Sequence, residues 1–123
     1  EFRRVLFRSM QLEKEQEVLM NIADMAIETF HAESALLRTM KLAAERGMEA
    51  ASLERDVMQT YLYDAADRIN KAGKDALNSF ASGDELRMMH IGLKRFTKVE
   101  PFNTKDARRR ICDKVLADPT YFF

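Results

Sequence analysis

No tryptophan, one cysteine, two prolines and four glycines occur in the 123 residues. The lone thiol, Cys112, excludes an internal disulfide framework and fits a reducing compartment. So little Gly and Pro excludes a loop-rich or collagen-like chain. Charge of one sign is also missing, because 20 Lys+Arg balance 20 Asp+Glu. A dedicated nucleic-acid binder carries a basic excess, and this chain has none. No apolar run reaches the 18 residues that a membrane-spanning helix needs. There is no Gly-rich phosphate loop, no G-x-S-x-G turn and no Cys/His cluster. The chain therefore offers no stand-alone catalytic apparatus.

What remains is 46% hydrophobic and 33% charged, with eight methionines. That composition suits a helical protein, and the length suits one domain with a real core. Residues 1–9 stand apart. They have no secretory h-region or cleavage site, and Glu1-Phe2 is what an in-frame GAATTC site encodes. We read residues 1–9 as an adapter or cloning remnant and residues 10–123 as the domain. The other reading is a short basic amphipathic arm anchored by Val5 and Leu6.

From residue 12 to about 45 there is no Gly or Pro. Leu12, Leu19, Ile22, Ala23, Ala26, Phe30, Leu37, Met40 and Ala44 recur at spacings of three, four and seven. This predicts a long helix with those residues as its core face. Glu13, Glu17, Asp24, Glu28 and Arg38 lie opposite. Gly47 is the expected stop, with Lys41 and Arg46 near the negative end of the dipole. Ser52 is the expected N-cap of a second helix, with Glu54 and Asp56 following. Its apolar face is Met58, Tyr61, Leu62, Ala65, Ile69, Ala72, Ala76 and Phe80. Gly73, inside that run, indicates close helix approach. A short link near Gly47 makes the two helices an antiparallel hairpin. Ser82-Gly83-Asp84 opens a third helix to about residue 97, with Leu86, Met89, Leu93 and Phe96 inward. Pro101 blocks continuation. Asn103 or Thr104 caps a fourth helix to about residue 117, carrying Ala107, Ile111, Val115 and Leu116. The predicted fold class is all-α: a bundle of two long antiparallel helices and two shorter ones.

Several constellations were weighed for chemistry. Glu28 and His31 form an E-x-x-H pair, the spacing of ferritin-like metal bundles. The only other histidine, His90, has Arg87 at the corresponding position, so a solvated pair is the expected reading. Glu33 falls on the predicted core face, where a buried charge needs a partner. Arg55 or Arg68 are the candidates. Arg108, Arg109 and Arg110 give the fourth helix a basic surface, read as a solvated face rather than a phosphate or lipid site. Cys112 has no nearby histidine and reads as a plain thiol. Met25, Met40, Met58 and Met89 sit at core spacing and read as adaptable packing.

One string goes further. Residues 14–30, KEQEVLMNIADMAIETF, resemble the opening of the extra C-terminal helical domain in acyl-CoA dehydrogenases of the very-long-chain type. The matching residues are Glu15, Gln16, Leu19, Ala23, Asp24, Ala26, Ile27, Glu28 and Phe30. Ser34, Leu36, Leu37 and Arg38 continue the likeness, and Ala65, Ala66, Arg68 and Ile69 match an A-A-x-R-I element. The Arg-rich fourth helix and the aromatic tail are similar to bacterial members.

The resemblance implies a parent flavoenzyme that oxidises acyl-CoA to trans-2-enoyl-CoA in fatty acid β-oxidation. In that family a glutamate of an E-G-T-N-type motif removes the α-proton. FAD accepts the hydride, and an electron-transfer flavoprotein takes the electrons. This chain has no such motif and no flavin-holding segments. The resemblance thus implies no catalytic, cofactor-binding or metal residue here, and FAD for the parent only. The implied partners are the catalytic body and a homodimer mate, in the cytoplasm, with peripheral membrane contact and no nucleic acid. Val18, Met25 and Leu36 would form a second stripe that faces the catalytic body. A free-standing four-helix interaction module is the alternative function.

Overall fold

The computed structural model describes residues 15–120. The expectations for residues 1–14 and 121–123, including the assignment of residues 1–9, lie outside that range. Four helices follow one another: α1 Gln16–Arg46, α2 Ser52–Phe80, α3 Gly83–Phe96 and α4 Thr104–Ala117. No strand occurs among the described residues, so the all-α class holds. No helix among them is long and apolar enough to cross a membrane.

The boundaries follow local chemistry. Gly47 ends α1 with φ 94°, a left-handed conformation that glycine adopts without a Cβ penalty. Ser52 is the first residue of α2 rather than its cap, a one-residue shift at a frayed end. Ser82 occupies the N-cap of α3 without a side-chain hydrogen bond. Asn103, not Thr104, caps α4: its side chain accepts from the Asp106 backbone N–H at 3.2 Å.

The described chain forms two compact units. One comprises the residues up to 28 together with Asp67–Lys98; the other comprises Thr29–Ala66 together with the residues from 99 onward. In the first unit Arg68 meets Glu28, and Asn70 donates to the Thr97 hydroxyl at 2.8 Å. Gly73 is buried, and a Cβ built there would lie 2.7 Å from Leu93 Cδ1. Close approach is therefore the reason for that glycine. In the second unit the rings of His31 and Tyr61 lie 6.4 Å apart. Arg46 reaches Glu54 at 3.4 Å, so α1 and α2 run antiparallel there.

Which face of α1 is buried differs from the sequence expectation. In the first unit Val18 is buried and Asn21, Met25 and Glu28 are half-buried. In the second, Thr39 and Leu42 are buried and Ala32 and Ala35 half-buried. These residues repeat at three and four, the spacing of one helical seam. The expected core residues lie about 140° around the helix, at ~100° per residue. Leu19, Ile22, Phe30, Leu37 and Met40 are exposed, Phe30 by 67% and Leu37 by 58%. The reason is size. Ala32, Ala35 and Thr39 in the seam are small side chains that carry little hydrophobic weight, while the large apolar residues outside it score higher in any hydrophobic pattern. Val18 and Met25 thus belong to the packed side, not to an outward stripe. Only Leu36 of that trio is exposed. Met25→Lys is accordingly expected to destabilise the chain.

The other helices show a milder version. On α2, Ala65 and Ala76 are buried as expected and Ala66 is buried as well, but Leu62 and Phe80 are exposed. Leu62 is therefore not a core residue, and Leu62→Ala should cost little. On α3, Leu86, Met89 and Leu93 are half-buried while Phe96 is 89% exposed. On α4, Ala107 is fully buried and Ile111 half-buried, but Val115 and Leu116 are exposed.

Candidate interaction surface

Each charged constellation has a structural use. Glu28 accepts two hydrogen bonds from Arg68, at 2.7 and 2.9 Å, a bidentate clamp. His31 sits between the rings of Phe30 and Tyr61. The His90 ring Nε2 lies 2.8 Å from Asn78 Oδ1. Among the described residues no group of three or more His, Cys, Asp or Glu could hold a metal. The ferritin-like reading therefore finds no site among them. Glu33 is exposed, because the face it shares is the outward one. Neither Arg55 nor Arg68 is needed to neutralise it. Cys112 is an exposed free thiol.

The arginine run is not a plain solvated face. Arg110 donates to Asp56 at 2.6 and 2.8 Å, and Arg108 donates to Asp64 at 2.9 Å. Two of the three arginines fasten α4 to α2, and Arg109 is exposed. Sequence spacing could not show this, because the partners are 54 and 44 residues away. Hydrogen bonding to Arg110 holds the Asp56 carboxyl below its usual range, against some desolvation, and Arg110 is raised in return. Asp118 is likewise lowered by hydrogen bonds from Thr120. Glu54 is also buried, but its Oε2 has no hydrogen-bond partner among the described residues. Its place in the first turn of α2 suits a negative charge.

A pH dependence follows. A carboxylate whose folded pKa is depressed contributes stability above its unfolded value, near 3.9, and loses it as pH falls through the folded value. The melting temperature is expected to drop on acidification below about pH 4. Asp56→Asn should flatten that drop. Arg110→Ala should lower the melting temperature at neutral pH more than Arg109→Ala, because it leaves the Asp56 carboxylate buried and unpaired. Thermal melts across the acid range check both, and equal effects of the two arginine variants would refute the clamp.

What the packing leaves over is large apolar side chains. The second unit exposes Phe30, Leu37, Met40 and Met48; the first exposes Leu19, Ile22, Met88, Ile91 and Phe96. Phe30, Leu37 and Met40, at spacings of seven and three, share one side of α1 and form the candidate interaction surface. Phe30→Glu with Leu37→Glu should reduce self-association and hydrophobic-dye binding while leaving helix content unchanged. Sedimentation, dye fluorescence and circular dichroism test it. Loss of helix in that double variant would put Phe30 and Leu37 back in the core.

Residues 7–95 match the family described as acyl-CoA dehydrogenase, C-terminal domain. The chain belongs to that family. A probable acyl-CoA dehydrogenase of Bacillus subtilis (strain 168) is 35% identical over 98 residues, which are 80% of this chain and 16% of that protein. The crystal structure of an acyl-CoA dehydrogenase complexed with FAD from Bacillus anthracis is similar to 91% of this chain. It matches at 35% identity with a TM-score of 0.86. The match takes up 20% of that protein, so this acyl-CoA dehydrogenase C-terminal domain spans a fifth or less of its relatives' length.

Proposed function

We propose that this chain is the accessory C-terminal domain of an FAD-dependent acyl-CoA dehydrogenase of the very-long-chain type. On this reading it packs on the catalytic body of its parent, supports the homodimer and does no chemistry itself. The observation that carries the reading is the outward face of Phe30 and Leu37 on a domain that covers only a fifth of a relative. Large apolar side chains left out of the domain's own seam are what a docked body would cover.

On this reading the described residues hold no flavin. The two glycines with positive φ, Gly47 and Gly83, sit at helix ends and form no phosphate loop. The surface groove near the α1–α2 turn is apolar apart from Thr39 and Arg55, with no donor set for a ring system or a pyrophosphate. Flavin, the catalytic glutamate and acyl-CoA thus belong to the rest of the parent, where acyl-CoA oxidation to trans-2-enoyl-CoA would occur. Electrons would pass to an electron-transfer flavoprotein. The parent would be cytoplasmic. Peripheral membrane contact would use exposed Met88 and Ile91 of α3, which lie among Arg87, Lys94 and Arg95.

Genomic sequence upstream of the codon for Gln11 tests the reading. An open frame that encodes an E-G-T-N-type motif is the expected result. A stop codon and ribosome-binding site just before Met10 would overturn it in favour of a free-standing interaction module. The purified chain should also lack visible flavin absorbance and fail to reduce a dye with palmitoyl-CoA. Either signal in clean protein would overturn the accessory role.

A further inference from the structure

The closed end of the α1–α2 hairpin, within the second unit, carries a groove of about 480 Å³. Leu36, Met40, Ala44, Met48 and Met58 supply most of its apolar lining, and Arg55 is its one charged residue. The volume falls within the range of small-molecule sites, roughly 300–1,000 Å³, which are also apolar with few polar groups.

Arg55 differs from the other arginines around it. Arg46, Arg108 and Arg110 each hold a carboxylate. Arg55 is exposed, and its guanidinium makes no hydrogen bond or ion pair among the described residues. Asp56 feels the Arg55 charge, but more weakly than it feels Arg110. The Glu54 carboxylate is engaged by Arg46 and the Asp56 carboxylate by Arg110. A guanidinium beside an apolar cleft favours an anion there, because the low-dielectric wall weakens screening. Three methionines, unbranched and flexible, can close around a chain of variable length.

We propose that this groove binds a single-chain amphiphile with an anionic head, the tail among Met40, Met48 and Met58 and the head at Arg55. The groove adjoins the docking face of the proposed function: Met40 and Met48 belong to both, while Phe30 and Leu37 do not line it. The proposal concerns the chain on its own and does not rest on the parent's identity.

The test uses the full chain labelled with ¹³C at the methionine methyls, titrated with dodecanoate below its micelle concentration. The Met40, Met48 and Met58 signals should shift saturably, while Met20, exposed on α1 and outside the groove lining, stays still. Arg55→Ala should weaken binding by about tenfold or more, the worth of one charge-assisted hydrogen bond. Ala44→Trp, at an exposed wall position, should abolish it. Dodecyltrimethylammonium, with the same tail and the opposite charge, should bind at least about tenfold more weakly than the carboxylate. Circular dichroism confirms that each variant is folded. Absence of saturable shifts, parallel movement of Met20, or equal binding of the two head groups would overturn the proposal. So would an unchanged affinity in folded Ala44→Trp or Arg55→Ala.

Discussion

Leu42→Ala is expected to lower the unfolding free energy by about 2–4 kcal/mol, whereas Leu37→Ala should change it by less than about 0.5–1 kcal/mol. Leu42 is 6% exposed and Leu37, five positions earlier on the same helix, is 58% exposed. Truncating Leu42 removes buried apolar contacts and leaves a cavity that a helix seam closes poorly. Truncating Leu37 removes a side chain that water already reaches. Urea unfolding at low protein concentration separates the two, read as midpoint shifts with an unchanged slope. Low concentration matters, because association through an exposed face would add apparent stability. A larger loss for Leu37 than for Leu42 would mean that the outward face is the true core.

The second large effect is expected at Gly73. A Cβ there would meet Leu93 Cδ1 at 2.7 Å, Cδ2 at 2.9 Å and Cγ at 3.4 Å. Gly73→Ala sets two opposed effects against each other. Alanine in a helix interior gains up to about 1 kcal/mol over glycine, and the Leu93 methyls must turn aside. These are the flexible end of a half-buried side chain, so the net change should be small. Gly73→Val adds branches that the same rotation cannot clear, and overpacking of this kind costs about 1–3 kcal/mol. Leu93→Ala should then cost less in the Gly73→Val background than alone, with a coupling of roughly 0.5–3 kcal/mol. Thermal or urea unfolding of the four chains measures it. Additive effects would show that Leu93 is not what Gly73 makes room for.

Much of the architecture was legible because the helix signals are strong and local. Gly47, Asn103 and the Ser82-Gly83 break mark their boundaries through backbone freedom and capping, which depend only on near neighbours. The role of Gly73 was readable for the same reason: a glycine among alanines inside a long helix needs a steric cause. The buried face of α1 was not legible. Apolar residues lie on more than one side of that helix, and periodicity alone cannot say which side meets the same domain and which meets another. Alanine and threonine at Ala32, Ala35 and Thr39 carry little hydrophobic weight, yet they lie where burial occurs. The partners of Arg108 and Arg110 were hidden for a different reason. Ion pairs across dozens of residues leave no local pattern, and the helix polar face looks the same with or without them. Family membership was readable from the string at residues 14–30, which the family match includes.

The alanine-rich interior also has a calorimetric consequence. The buried apolar residues are Val18, Leu42, Ala51, Ala65, Ala66, Ala76 and Ala107, and no large side chain among the described residues is fully buried. Alanine has no rotamers to freeze on burial, so ordering this interior costs little side-chain entropy. It also hides little apolar area, the quantity that sets the heat-capacity change of unfolding. Alone, the domain should therefore have a flatter stability curve than its length suggests, with a heat-capacity increment below the usual ~12–15 cal/mol/K per residue. Its resistance to cooling should exceed its resistance to heating.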